Sequence, residues 1–398
     1  MELWRKNLYS LWCAQFIAAL GLNMVVPFLP IYLRELGIEG DKSMKIWSGV
    51  VFAAPFLISA FMQPLWGILG DRYGRKPMIV RAMLGLSLAH FLMGFAQSAP
   101  QFLFCRIFQG LLSGFIAPSL ALLASCTPPG KVGYSLGTLQ SALISSLVLG
   151  PFFGGVAIHF MGCRPIFFGT GFFCLCGAII VYLFVGEKFV ATVSEKKSQL
   201  KENFSQIFYS PELRSLFFLL ILVQFSIFSV APFITLYVEY LGVSPEYVGI
   251  TAGIIFGVTG LTNAACAPFW GKKADRSGYN HVLRIALFGM IAFLLPQGFV
   301  IDAYQLMFLR AGLGIFLSGT VPVINAIIRL SSREEDRGGI YGIFQSGYLL
   351  GNLIGPLVGG IFSVMLGLRS IFFMTTVFLC MGPLLQRSIR KDSRTPGK

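Results

Sequence analysis

Apolar stretches of about 20 residues, long enough to cross a bilayer, recur along the whole chain with only short polar breaks between them. No soluble fold can bury so many. Of 398 residues, 55% are hydrophobic and 12% charged, too few charges to coat a soluble surface. Twelve candidate spans follow, the first near 10–33 and the last near 369–387, leaving no room for a sizeable soluble domain. The expected fold is therefore an all-α membrane protein. The first apolar run starts near Tyr9 and continues past Pro30, too long for a signal-peptide core, and is expected to be retained.

An even number of spans puts both ends on one side, and the basic residues say which. With the N-terminus cytoplasmic, most of the 31 Lys and Arg fall in cytoplasmic segments, while Arg34, Lys42, Lys45, Arg164 and Arg369 fall outside. This asymmetry obeys the positive-inside rule and accounts for the net charge of +14 without nucleic acid. The eight cysteines are scattered through apolar stretches and read as small buried residues, not as disulfides or metal ligands.

The chain repeats itself. Pro27 pairs with Pro232, Pro64 with Pro268, Arg106 with Arg310, Pro118 with Pro322 and Gly150-Pro151 with Gly355-Pro356, each at an offset of 204 or 205 residues. So constant an offset marks an internal duplication. Six spans per half preserve orientation, giving two parallel-repeat six-helix bundles about an axis along the membrane normal. The expected division is a first bundle over 1–186, a cytoplasmic linker over 187–213, and a second bundle with a short tail over 214–398.

The sharpest motif is Gly67-Ile-Leu-Gly-Asp71-Arg72-Tyr-Gly74-Arg75-Lys76, expected in the cytoplasmic loop after span two, with a weaker copy at Gly271 to Gly278 containing Asp275 and Arg276. Its glycines suit a tight turn and close helix approach. Asp71 ends its own helix, where the helix dipole disfavours a carboxylate, so it needs a partner such as the helix start at Gly338-Gly339. The plainer reading is a basic turn that only sets topology; duplication of the pattern favours a gate.

This motif resembles the loop signature of the major facilitator superfamily. Arg106 with Gln109-Gly110 resembles its arginine motif in span four. Leu149-Gly150-Pro151-Phe-Phe-Gly154-Gly155 resembles the span-five motif of its drug:proton antiporters. With Pro27-Phe-Leu-Pro-Ile-Tyr, Trp47-Ser48-Gly49 and Gly162-Cys-Arg164-Pro165, the whole chain is most similar to bacterial multidrug exporters of the MdtG type. The resemblance implies a protein of the cytoplasmic (inner) membrane, usually monomeric. It further implies export of amphiphilic small molecules in exchange for protons.

Read from residues alone, Pro151 kinks span five while Gly150, Gly154 and Gly155 admit a close neighbour, as a functional hinge or as ordinary packing. Arg106 and Arg310 are the charges expected inside spans, either facing substrate or snorkelling to the interface. All 17 carboxylates map to loops or span ends. Relatives with a titratable acid in span one differ here, because mid-span one offers Asn23. Asp71, Glu239 and His90 remain as proton sites, His90 reading more naturally as a packed side chain. Asn23, Gln63, Gln140, Gln224, Asn263, Gln345 and Asn352 are the polar groups near mid-span, expected along a substrate path by resemblance.

Export of amphiphiles competes with an uptake or facilitative carrier for a metabolite and with a transporter-shaped receptor or assembly factor. Paired catalytic acids, a nucleophile elbow, a phosphate loop and metal-spaced His/Cys are all lacking, so neither an enzyme nor a cofactor is expected.

Overall fold

The structure, a computed structural model, describes residues 2–128, 131–187, 204–332 and 337–389, without the side chains of Pro64, Ile68, Asp71, Arg337, Gly338 and Gly339. Most of the expected linker, 188–203, lies outside the described residues, as does the proposed Gly338-Gly339 partner of Asp71 at the side-chain level.

Among the described residues every element is helical, as the apolar pattern demands where lipid offers no partner to a bare backbone. Eleven helices among the described residues are long and apolar enough to cross a membrane, and Ser370–Gln386, expected as the twelfth span, is a shorter apolar helix. Span one is α1 (Leu3–Val25), a 3-10 turn (Val26–Phe28) and α2 (Leu29–Glu35). Pro27 lies at the start of that turn, where its missing N–H breaks the ladder at least cost. Then come α3 (Asp41–Tyr73), α4 (Arg75–Gly94), α5 (Ala99–Leu112), α6 (Ile116–Cys126), α7 (Val132–Met161) and α8 (Cys163–Phe184). Span four is thus α5 and α6, interrupted between Leu112 and Ile116.

The second half copies these joints. After a short helix α9 over 204–209, α10 (Pro211–Val230), a 3-10 turn (Ala231–Phe233) and α11 (Ile234–Tyr240) repeat span one. Ser210 caps α10 by accepting from Leu213 N. The run continues with α12 (Pro245–Ser277), α13 (Tyr279–Leu294), α14 (Ala303–Leu317), α15 (Val321–Ser331), α16 (Arg337–Leu366), α17 (Ser370–Leu379) and α18 (Gly382–Gln386). Span ten, like span four, is broken, here between α14 and α15.

Two compact units result. The first takes in the first six spans together with Ser244–Gly257, the opening turns of α12; the second takes in the rest. The core of the first unit gathers Leu8, Leu11 and Ala14 of α1, Ile79, Met83 and Leu86 of α4, Leu122 and Leu123 of α6, Leu139 of α7 and Cys174 and Val181 of α8. Buried Asn7 closes it: its Nδ2 donates to Gly186 O (2.7 Å) and its Oδ1 accepts from Gly186 N (2.9 Å), pinning the end of span six to span one.

Matching side chains stitch each unit at the same points. Tyr32 donates to Met93 O (2.7 Å) and Tyr237 to Gln297 O (2.8 Å). Trp66 donates to Leu111 O (2.9 Å) and Trp270 to Ile315 O (2.7 Å), just ahead of the two broken fourth spans. Arg164 reaches Ala96 O (3.4 Å) and Arg369 reaches Val300 O (3.1 Å). The acceptors are carbonyls released where helices end or break, and in lipid such groups need a partner.

Candidate functional site

The duplicated glycine-aspartate motif is not a loop. Residues 67–73 are the last turns of α3, the helix ends at Tyr73, and only Gly74 leaves it, with φ at 100°. The copy behaves alike: α12 runs to Ser277 and Gly278 turns at φ 90°. A side chain is strained at such angles, which explains glycine at both turns. Gly67 and Gly271 do not provide close helix approach, since a Cβ on either would meet nothing within 4 Å, while one on Gly70 would make ordinary contact with Met78 Cγ at 3.4 Å. Asp71 lies in the last turn of α3, and its side chain is outside the described residues. Asp275 accepts from Tyr279 OH (2.7 Å), and Arg72 and Arg276 are exposed.

Glu187, the first position of the expected linker, anchors this motif. Glu187 Oε1 accepts from Arg75 N (2.9 Å) and Oε2 from Lys76 N (2.8 Å), so its carboxylate caps the N-terminus of α4. An anion there is favoured by both the orphan N–H groups and the helix dipole. A Cβ on Gly74 would meet Glu187 Oε2 at 3.0 Å, so the turn and the cap are fitted to each other. Arg75 Nη1 donates to Ala121 O (2.6 Å), tying the motif to α6. The available signal is that Glu187 is the first charge after the apolar run of span six.

The span-five glycines line two close seams. On one face of α7, a Cβ at Gly150 would sit 2.5 Å from Asn23 Cβ, and one at Gly154 would overlap Met24 O. On the other, a Cβ at Gly155 would lie 2.8 Å from Gly249 O, and one at Gly253 2.6 Å from Pro151 O. The motif therefore seats α7 against α1 and against the opening turns of α12 at backbone-to-backbone range. Gly355 and Gly359 of α16 repeat the first seam, facing Ser229 and Phe233.

Asn23 does more than replace an acid. Its Nδ2 donates to Ala19 O (2.9 Å) and to Ser146 Oγ (3.2 Å), crossing from α1 to α7 beside Gly150. Arg106 and Gln109 come together: Arg106 is 3% exposed, donating from Nε to Val51 O (3.0 Å) and from Nη1 to Gln109 Oε1 (2.6 Å). Arg310 is 5% exposed, and its Nε and Nη2 are buried without a hydrogen-bond partner. Neither arginine snorkels. Arg81, expected among the cytoplasmic charges, belongs with them. It lies within the span Arg75–Gly94, its guanidinium 3.5 Å from the Trp66 ring centroid and its Nη2 3.3 Å from Ser113 O at the break in span four.

The other expected residues are dispersed. Gln224 is buried, with Gly351 close against its Cβ, and Asn352 is buried with an unpartnered Oδ1. Gln63 and Asn263 are half-buried, and Gln140 and Gln345 are exposed. His90 is buried and bonded to Leu86 O of its own helix (2.8 Å), as a packed side chain would be. Glu239 lies at the end of its span, and no group of three or more His, Cys, Asp or Glu among the described residues is arranged to hold a metal.

Repeated spans, interrupted helices and buried arginines at matching depths define a multi-pass membrane protein of the duplicated-carrier class. The sequence pattern of the Major Facilitator Superfamily matches residues 11–296 and, a second time, 216–398. The multidrug resistance protein MdtG of Salmonella paratyphi B is 35% identical over 372 residues, 94% of this chain and 92% of that protein, and MdtG of Salmonella newport matches equally. The chain belongs to the major facilitator superfamily and is a secondary transporter of small molecules. A bacterial homologue of the human lysosomal transporter Spinster shares the fold with a TM-score of 0.78 at 16% identity, covering 99% of each chain. The nucleoside transporter NupG shares it with a TM-score of 0.78 at 10% identity, covering 96% of this chain and 98% of that one.

Proposed function

We propose that this transporter exports amphiphilic molecules, drugs among them, by alternating access in exchange for protons. The observation that carries the reading is the likeness to MdtG along nearly the whole of both chains. It is not an enzyme in this reading. It works as a monomer in the inner membrane of a bacterium with both termini cytoplasmic, an orientation supported by the basic residues. The working parts are the bundles 1–186 and 214–398 joined through 187–213.

Within that scheme the Asp71 motif and its Asp275 copy act as cytoplasmic gates, and the Gly150 to Gly155 run as the hinge of span five. Arg106, Gln109, Asn23, Gln140, Gln224, Asn263, Gln345 and Arg310 are the candidates for the substrate or proton path. Exchange with protons asks for a titratable group, and the carboxylates among the described residues stand at or near helix ends, Glu35 and Glu239 among them. Coupling then runs through gate acids instead of an acid buried at mid-span.

Flux of a lipophilic cation in proteoliposomes, with and without an imposed pH gradient, tests the reading. Exchange predicts uphill movement that collapses with the gradient; movement indifferent to the gradient makes the protein a facilitator, and none for any amphiphile points to a receptor role. Asp71→Asn is expected to cut flux at least about tenfold with membrane insertion intact. Wild-type turnover in that variant would reduce the motif to a topology signal.

A further inference from the structure

Arg106 and Arg310 are repeat mates, each about two turns into the fourth helix of its half and each almost wholly buried. The repeat thus supplies an internal control for what a buried arginine needs. In the first half the need is met by a carbonyl on Nε and by Gln109 Oε1 on Nη1. The counterpart of Gln109 is Leu313, which offers no side-chain acceptor, and no carbonyl meets the Nε of Arg310 as Val51 O meets that of Arg106. There the Nε and Nη2 of Arg310 are left without a partner.

These two nitrogens are not an arbitrary pair. Nε–H and the nearer Nη2–H leave a guanidinium side by side along one edge, spaced to meet both oxygens of a carboxylate. One turn further on, Gly314 brings α14 down on Thr259 O and the Thr262 hydroxyl, so this stretch of α14 meets polar groups of α12. The Thr262 hydroxyl itself donates to the carbonyls of Val258 (3.0 Å) and Thr259 (3.2 Å), leaving its oxygen able to accept but not to serve as an anion. A permanently charged edge inside a membrane helix, with no acceptor among the described residues, is a standing demand for one from outside the chain.

We propose that the Nε/Nη2 edge of Arg310 is a docking point for an oxyanion, a carboxylate foremost, borne by the carried molecule. This rests on the transport reading above and narrows it: the amphiphiles handled include anionic ones, held by their charged end on span ten. The first half does not share the site, because Val51 O already meets the Nε of Arg106 and Gln109 its Nη1.

The test uses the full chain in phosphatidylcholine nanodiscs, with hexanoate as probe and hexanamide as its uncharged counterpart, read by thermal unfolding. Hexanoate is expected to raise the unfolding midpoint of the wild type in a concentration-dependent way, and hexanamide is not. Arg310→Gln should weaken the apparent hexanoate affinity about tenfold or more, and Arg310→Lys, which keeps a charge but not the paired edge, by less. Leu313→Gln leaves the arginine in place and puts a side-chain acceptor within reach of its guanidinium, where it competes with an added carboxylate. It should weaken hexanoate binding while raising the midpoint without ligand, and it decides the matter if Arg310→Gln does not fold. An equal hexanoate response in wild type, Arg310→Gln and Leu313→Gln, or an equal response to hexanamide, overturns the proposal. Adding an anionic lipid to the nanodiscs separates a headgroup from a free carboxylate. A lipid occupant blunts the hexanoate response of the wild type and overturns the assignment to a carried molecule. Because binding is read without flux, failure of the transport reading in proteoliposomes would leave this result distinct.

Discussion

Side by side, the two halves keep the same joints and fill the spaces between them differently. The tyrosine, tryptophan and arginine donors that satisfy carbonyls at helix ends recur at matching positions: Tyr32 and Tyr237, Trp66 and Trp270, Arg164 and Arg369. Away from the joints the polar pairs of the first half have apolar mates. Asn23 and Ser146 correspond to Phe228 and Gly351, Gln109 to Leu313, and Arg81 to Ile285. The difference teaches what each kind of residue is for. A freed carbonyl in lipid must be met wherever the backbone breaks, so those donors follow the shared fold. A polar side chain within a helix is optional for the fold, so the halves are free to diverge there and to hold different chemistry.

The most damaging way to break the comparison is at a joint both halves share. Gly154→Leu has no room beside Met24 O and Phe28, and is expected to cost at least about 3 kcal/mol, enough to abolish a folded monodisperse peak in size-exclusion chromatography. Gly359→Leu, against Ser229 O and Phe233, should fail in the same way; a tolerant second half would show that the seams are not equivalent. Next in size, Gln109→Leu converts the surroundings of Arg106 toward those of Arg310. It removes the acceptor at Nη1 and should destabilise by about 2 kcal/mol in thermal unfolding. An unchanged midpoint would mean that Arg106 finds another acceptor.

Glu187→Gln removes the charge that caps α4 while keeping an oxygen. A loss of about 1 kcal/mol is expected, together with faster amide exchange at Arg75 and Lys76. Undisturbed exchange at those two amides would deny the cap. The smallest effect sharpens the contrast at span one. Asn23→Leu gives up the bond to Ser146 and should cost about 0.6 kcal/mol, the scale of polar contacts between membrane helices. If flux falls far more than stability does, Asn23 serves the transport path and not only the α1–α7 seam.

Apolar run lengths, the constant offset between halves and the distribution of lysine and arginine were all legible in the chain, because each follows from local composition and from spacing. Membrane crossing and duplication needed nothing more. The motifs at Gly67 and Gly150 were legible as patterns, and their geometry was not. The first is helix to its last turn, with one glycine carrying the bend, and the glycines of the second divide their contacts between α1 and α12.

Only the tertiary structure decided which polar groups are paired. That Glu187 caps α4, that Arg81 lies over Trp66, that Arg106 reaches Val51 O and that an edge of Arg310 is bare all depend on partners far away in sequence or on the packing of a neighbouring helix. Hydropathy records how costly a side chain is to bury and says nothing of what it meets there. The sequence by itself determined a duplicated bundle of membrane helices; the fold alone determined where that bundle still has a hydrogen bond to give.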